Sequence, residues 1–402
     1  HQNVWPTDSA QESMKLLKIF IPGDFEDAFV YMGHLLVLTA EHSLRFYDLG
    51  RLVASIEDKR EPLGGILTYL FLRNDWLASD QFQTLLKNAA LQQSVEDIAR
   101  DAPILFEPSK PAEALELERD LQVGDGPVLD IEIYNQRIYF AAGNGFYHCD
   151  LDWSSLSDSD LSAPVKRHDA RSISSNSGYG TVNISCGNEG LFSAYDEFGW
   201  SGSSANGTFY KTADRSVRSL WFARDLMNYS TTTDPVLLES DEEVVTPRGS
   251  ERETRVLTSI GVRKFEFDHL FGEALIREDE QGAEVEFVFN SNNYLFLHTS
   301  TGHFLVMGVK RAEGEPPEIR YTRSHGIRRA EILGMRSSRT GVVVETETAI
   351  LLFHEGNWHT VHKGEVLTVR TFPRSKRYKN LIVVTTEKGV TLLSPAVFAN
   401  PS

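Results

Sequence analysis

The chain has 402 residues, of which 41% are hydrophobic and 24% are charged, the composition of an ordinary globular protein. Its formal net charge of −17 gives no overall electrostatic reason to expect nucleic acid or an anionic membrane as a partner. The longest apolar run, residues 64–72, is too short to cross a bilayer, and the chain has only two cysteines. These features predict a cytoplasmic protein, with the nucleus as the alternative site, whose two thiols are reduced.

The chain repeats a pattern in which two alternating apolar runs flank a polar turn. In the last copy the β-branched run 382–384 is followed by the turn 386–389 and a second apolar run. This pattern is typical of a β-hairpin. In chain order the seven copies occupy residues 35–49, 138–151, 182–196, 255–268, 295–307, 342–354 and 380–394.

The spacing of these hairpins indicates how they are assembled. Four of the six steps between them are about 40–47 residues long, the length of a four-stranded propeller blade. The last copy ends at Ser394 without a fourth strand, whereas the apolar segment Lys15–Phe20 precedes a complete unit. Adding that segment to the last hairpin would close a ring and leave no bare strand edge.

Pattern and spacing together resemble a seven-bladed β-propeller of the WD-repeat-like class. The resemblance implies an all-β fold in which residues 1–402 form a single propeller domain closed by an N-terminal strand. It carries architecture only and assigns no site residue. Two stacked β-sandwiches are the structural alternative.

The first long step contains a predicted helical insertion, residues 58–126, between the first two blades. Ser79 can cap a helix that places Phe82, Leu85 and Leu86 on one face. Residues 113–120 predict a further short acidic helix. The insertion is either a decoration on the side of the ring or a platform on which these three apolar residues bind a partner protein.

The second long step contains residues 229–253, which are polar and rich in Thr and Ser, with acidic residues over 239–243. This composition predicts an acidic, flexible loop insertion. The pattern after the fourth hairpin predicts a strand over residues 273–278.

Polar residues of the connections between blades form the first candidate site. In a propeller these connections gather around the channel mouth, where His, Asp and Arg could bind an anion or transfer a proton. Such mouths are polar whether or not they bind a ligand. The predicted binding residues are His168, Asp169, Arg171, Arg215, His325, Arg328 and Arg329.

The second candidate site lies between the first two strands of the last blade. Residues 374–379 read RSKRYK and follow Arg370 at the end of the preceding strand. Cations beside an aromatic residue could bind RNA or an acidic peptide, and a solvated turn is the simpler interpretation. The predicted partner-binding residues are Arg374, Lys376, Arg377 and Tyr378.

Other arrangements of reactive residues do not form a recognisable site. Residues 199–203 read GWSGS, and the nucleophile elbow needs glycine at the last position. His354, His359 and His362 have a spacing that could suit zinc, but the last two point to opposite faces of one strand. The sequence therefore predicts no catalytic residue, metal or cofactor.

These observations favour a non-enzymatic scaffold that binds a protein partner through its insertion-bearing face, as a monomer or within a hetero-complex. A propeller enzyme, either a lyase or a hydrolase with its site at the channel mouth, is the first alternative. A nucleic-acid-associated scaffold that uses residues 374–379 is the second.

Overall fold

The structure is a computed structural model in which a large part of the chain is described. The described residues are 16–57, 65–76, 79–80, 82, 84, 87–89, 93, 104–108, 110–121, 123, 126–153, 156, 161–195, 208–246, 254–310, 312, 315–326, 332–354 and 357–395.

Twenty-nine strands are present in these residues. The first fourteen are β1 Leu16–Pro22, β2 Phe25–Tyr31, β3 His34–Thr39, β4 Ser43–Asp48, β5 Ile104–Phe106, β6 Leu115–Asp120, β7 Val128–Tyr134, β8 Arg137–Ala142, β9 Gly145–Asp150, β10 Val165–His168, β11 Ser174–Gly178, β12 Thr181–Ser185, β13 Leu191–Tyr195 and β14 Tyr210–Ala213. The others are β15 Arg218–Phe222, β16 Asp225–Tyr229, β17 Pro235–Val245, β18 Thr254–Glu266, β19 Val285–Ser291, β20 Tyr294–Thr299, β21 His303–Lys310, β22 Glu318–Gly326, β23 Ile332–Ser337, β24 Val342–Thr346, β25 Ala349–His354, β26 Asn357–Lys363, β27 Thr368–Thr371, β28 Ile382–Thr386 and β29 Gly389–Pro395. The helices are α1 Leu49–Glu57, a π-helix Thr68–Leu72, 3-10 turns Asn74–Trp76 and Pro111–Ala114, and α2 Asp268–Arg277.

The fold is an all-β, seven-bladed β-propeller, as the pattern predicted. Blade 1 is β2-β3-β4-β6, blades 2 to 6 each take four successive strands from β7 to β26, and blade 7 is β27-β28-β29-β1. The chain divides into two compact units. The first unit, residues 1–120 and 331–402, contains blades 1, 6 and 7, and the second, residues 121–330, contains blades 2 to 5.

The N-terminal strand completes blade 7, which confirms the predicted closure. β1 pairs antiparallel with β29 from Leu16 opposite Pro395 to Pro22 opposite Gly389. Ile19 is fully buried in the apolar core of the first unit. The short strand β5 pairs in parallel with the other edge of β1. The insertion thus supplies a fifth strand that covers the outer edge of this blade.

The position predicted for the helical insertion is wrong. β6 pairs with β4 and is the fourth strand of blade 1, so the insertion occurs between the third and fourth strands of that blade rather than between blades 1 and 2. The acidic helix predicted over 113–120 is largely this strand. Leu115 and Leu117 alternate with charged residues, and the strand period of two prevails over the helical propensity of Glu and Leu.

The described part of the insertion is packed firmly against blade 7. Leu67, Leu70 and Phe71 are buried in the same core cluster as Leu392. Ser394 donates a hydrogen bond from Oγ to the carbonyl oxygen of Leu70, at 3.0 Å. The insertion is therefore an integral part of the first unit rather than a loose appendage.

The fourth predicted hairpin, residues 255–268, belongs almost entirely to one long strand, β18. The sequence pattern suggested a turn at its glycine. Gly261 instead lies in a bulge with φ of +92°, at the point where the β17–β18 pairing shifts between Leu238 and Ser240. Glycine accommodates such a positive φ at no steric cost, so the strand continues through the irregularity.

Two neighbouring predictions in this region also differ from the structure. Of the loop predicted over 229–253, residues 235–245 are strand β17, and residues 247–253 lie outside the described residues. The acidic side chains are accommodated because they have partners, as in the ion pair of 2.6 Å between Glu242 and Arg224. The strand predicted over 273–278 lies mostly in helix α2, which buries Phe271 and Ala274 on one face.

Candidate functional site

The first candidate set belongs to the second unit, and the structure describes only part of it. Arg328 and Arg329 lie outside the described residues, and the position of His325 is described only as part of the backbone of β22. Arg171 and Arg215 are both exposed, each just before the first strand of a blade. The convergence of this set at one ligand thus remains a prediction.

His168 ends strand β10, and its ring packs between aromatic side chains. The ring centroid lies 4.3 Å from that of Phe192 and 5.6 Å from that of Phe209. Burial lowers the pKa of His168, and the charges of Asp169 and Glu189 oppose that shift. Among the described residues, no hydrogen bond or ion pair joins His168 to Arg171 or Arg215, and Asp169 pairs with Lys166 instead, at 2.9 Å.

We expect His168 to titrate independently of the two arginines. Because burial disfavours the imidazolium, its pKa should lie below the usual value near 6.5 and should rise towards that value in Phe192→Ala, where water reaches the ring. Arg171→Ala and Arg215→Ala should leave it unchanged. NMR titration of the histidines measures this. A response to either arginine variant, or to inorganic phosphate, would instead support a shared anion site.

His354 and the two cysteines show structural roles. His354 and His359 are neighbours on β25 and β26, with ring centroids 6.4 Å apart, but Nδ1 of His354 lies 2.6 Å from the carbonyl oxygen of Thr340. Cys149 and Cys186 are buried and form no disulfide, and burial raises the pKa of Cys186 to about 11. Across the part of the chain that is described, no group of three or more His, Cys, Asp or Glu could hold a metal ion.

A third group of polar residues links the first strands of neighbouring blades. Glu132 of blade 2 accepts hydrogen bonds from the backbone N–H and the hydroxyl of Ser177 of blade 3, at 2.8 Å each. Burial raises the pKa of Glu132. In the first unit Asp27 of blade 1 accepts bonds from Thr368 and Arg370 of blade 7. Arg370, which the sequence grouped with the cationic turn, therefore holds two blades together.

The second candidate site is a surface turn with one buried member. Arg374, Lys376 and Arg377 are exposed, and their role in binding stays a prediction. Tyr378 is only 3% exposed, and its hydroxyl oxygen accepts a hydrogen bond of 2.7 Å from the backbone N–H of Gly33. The turn is long enough to fold back on blade 1, so its aromatic residue anchors it and cannot face a ligand.

The insertion brings a tryptophan to this turn, which sequence analysis did not anticipate. The N–H of Asn74 donates to the carbonyl oxygen of Arg377 at 2.9 Å, and the N–H of Asn380 donates to the side-chain oxygen of Asn74 at 3.2 Å. Two residues further on, Trp76 is 42% exposed. The guanidinium carbon of Arg73 lies 3.5 Å from the centroid of the Trp76 ring. Arg73 also forms two hydrogen bonds to Asp75, of 2.9 and 3.0 Å.

We call the surface formed by the turn and this part of the insertion the basic surface. It comprises Arg73, Trp76, Arg374, Lys376, Arg377 and Lys379.

Of the three apolar residues of the insertion that were predicted to bind a partner, the structure describes only Phe82. Phe82 is buried, 2% exposed, and its ring centroid lies 4.7 Å from that of Tyr69. It is a packing residue of the insertion and is not available to a partner. Leu85 and Leu86 lie outside the described residues.

No helix among the described residues is long and apolar enough to span a membrane.

Comparison with known proteins gives similarities of structure only. No family model matches the sequence, and no curated protein matches it. The β-propeller domain of Myceliophteria thermophila Cps50 (Swd1) is 8% identical, with 94% of this chain and 100% of that chain covered and a TM-score of 0.49. The WD40 β-propeller domain of Doa1 is 9% identical, with 96% and 97% covered and a TM-score of 0.46. The AfRom2 CNH domain is 12% identical, with 68% and 96% covered and a TM-score of 0.36.

Proposed function

We propose that this protein is a non-enzymatic scaffold that binds a protein partner through the basic surface of its first unit. The observation that carries the proposal is the exposure of Trp76 on a rigidly anchored insertion, directly beside a cationic turn. Tryptophan and arginine are the residues most enriched in the energetic centres of protein interfaces.

The way in which Trp76 is held supports this role. Its ring is stacked under Arg73, and Asp75 fixes the guanidinium by two hydrogen bonds. Asn74 joins the same segment to the turn of blade 7. A large side chain already fixed in one orientation loses little conformational entropy on binding, so more of the contact energy appears as affinity.

The observed position of the insertion decides which end of blade 1 bears it. Because the insertion lies between the third and fourth strands of blade 1, it leaves that blade from the end opposite the turn between the second and third strands. The partner surface proposed here is the end that carries Gly33 and the connection between β27 and β28. The buried side chain of Phe82 is not part of this surface.

A photo-crosslinking experiment tests the proposal. A photoreactive phenylalanine analogue at position 76 should crosslink one protein in cells, and the same analogue at exposed Tyr294 of the second unit should not. The captured protein is then purified, and Trp76→Ala should weaken its binding by about tenfold or more in a calorimetric titration. Equal labelling from both positions, or unchanged affinity of the variant, would contradict the proposal.

Deletion of residues 61–111, most of the insertion, could not distinguish loss of partner binding from loss of folding. It would remove Leu67, Leu70 and Phe71 from the core and β5 from the edge of β1. Loss of binding would then follow from unfolding alone. Point substitutions at exposed positions avoid this ambiguity.

A further inference from the structure

We infer that the basic surface recognises an acidic segment of its protein partner, with Trp76 as the apolar contact at one end. This inference rests on the proposed function and specifies the chemistry of the partner. The turn between β27 and β28, residues 372–381, contains four cations and no carboxylate. In the adjoining segment the half-buried carboxylate of Asp75 is paired with Arg73, at 2.9 Å.

The concentration of positive charge is local and opposes the charge of the whole chain. The formal net charge is −17, yet residues 301–402 hold 15 Lys and Arg against 9 Glu and no Asp. A cationic turn on an acidic protein attracts an acidic segment at short range, while the rest of the surface repels polyanions at long range. Charge complementarity of this kind gives specificity at short range, whereas the net charge of the chain opposes long-range steering of an anionic partner.

The same geometry disfavours single-stranded nucleic acid. Binding of single strands combines cations with aromatic faces on which bases stack. Tyr378 is buried under blade 1, and one face of the Trp76 ring is covered by Arg73. The described aromatic residues at this turn therefore offer only the uncovered face of Trp76 for stacking, and Tyr378, the one aromatic residue among the cations of residues 374–379, is buried.

The fixed backbone of the turn explains why it can act as a binding site. The turn is tied to the insertion through Asn74 and to blade 6 by a hydrogen bond of 3.0 Å from the N–H of Arg339 to the carbonyl oxygen of Lys379. Tyr378 ties it to blade 1. With its backbone held on three sides, the turn presents its long cationic side chains from fixed positions, which an unanchored solvated turn does not.

Fluorescence anisotropy with defined probes tests the inference. The probes are a labelled Glu-rich peptide, the same peptide with Gln at each Glu, and a labelled single-stranded oligonucleotide of equal charge. We expect the Glu-rich peptide to bind the full chain most tightly, with an affinity that falls as salt is raised. The triple variant R374E/K376E/R377E should lose about tenfold or more of this affinity.

A matched control separates local recognition from net charge. The variant K264E/R277E/K310E changes three exposed cations of the second unit and alters the net charge by the same amount. It should bind the Glu-rich peptide almost as the parent chain does. All substituted positions are exposed in the structure, and thermal melting of both triple variants verifies that they fold.

Each outcome bears on one claim. Tighter binding of the oligonucleotide, equal binding of the Gln peptide, or equal losses in the two triple variants would overturn the acidic-segment inference. If the partner crosslinked from position 76 binds R374E/K376E/R377E with unchanged affinity, the inference fails while the scaffold proposal stands. If position 76 crosslinks nothing but the Glu-rich peptide binds as described, the scaffold proposal in its present form fails and the recognition chemistry stands.

Discussion

Asp27→Ala should lower the free energy of unfolding by about 3 kcal/mol or more, because it removes one partner of a buried ion pair between two blades. Asp27 is 8% exposed. Its carboxylate accepts hydrogen bonds from Nε of Arg370 at 3.1 Å, from the hydroxyl of Thr368 at 3.0 Å and from the N–H of Ala28 at 2.8 Å. The variant leaves the guanidinium of Arg370, whose side chain is 17% exposed, without this carboxylate.

Chemical denaturation measures the loss, and an exposed ion pair on the same unit provides the control. Glu118→Ala removes the partner of Arg45, at 2.6 Å, but the carboxylate side chain is 44% exposed and the cost should be under about 1 kcal/mol. The double variant D27L/R370M replaces both charges by apolar groups and should recover much of the stability. A loss in Asp27→Ala no larger than in Glu118→Ala would show that the pair does not hold blades 1 and 7 together.

The blade pattern was predictable from sequence because central strands that are buried on both faces appear as short β-branched runs bounded by polar turns. In β28, Val383 and Val384 are buried on opposite faces of a central strand, and the turn before Gly389 requires a positive φ of +147°. Both features are local consequences of residue type. The need for Lys15–Phe20 in blade 7 followed from counting strands, since an unpaired edge is costly.

Blade 4 was not predictable by the same rules. Glycine between two apolar runs ordinarily marks a turn, and Gly261 marks a bulge. Whether the glycine forms a turn or a bulge depends on whether β17 can pair with the residues on both sides of it, and this pairing is not encoded in the local sequence. The acidic composition of β17 is likewise typical of a loop, and the strand tolerates it because residues such as Glu242 pair with a cation, here Arg224.

The candidate binding surface could not be predicted from the sequence, because its parts are far apart in the chain. Trp76 and the turn residue Arg377 are about three hundred positions apart in the chain, and the contact through Asn74 joins them. No local pattern around Trp76 distinguishes it from a core tryptophan. Tyr378 shows the opposite error. As an aromatic residue within a cationic run it was predicted to contact a ligand, and in the structure it is a buried anchor.

Removal of residues 1–22 should abolish the stable monomer, because it removes the interior strand β1 from a five-stranded sheet. β1 pairs with β29 on one side and with β5 on the other. Ile19 and Ile21 are fully buried in the same core cluster as Val390 and Leu392. Without β1, an apolar edge of β29 would be exposed and available for pairing with other chains.

Size-exclusion chromatography with light scattering and thermal melting measure this result. Removal of residues 1–14 keeps the whole of β1 and should leave both unchanged. Ile19→Ala should cost about 2–5 kcal/mol through the lost apolar contacts and the cavity that remains. A synthetic peptide covering Lys15–Pro22, added in trans, should restore the monomer, and the same peptide with Asp at positions 19 and 21 should not. A truncated protein that remained monomeric with an unchanged melting temperature would contradict the closure of blade 7 by β1, because a sheet that loses a central strand cannot keep its core intact.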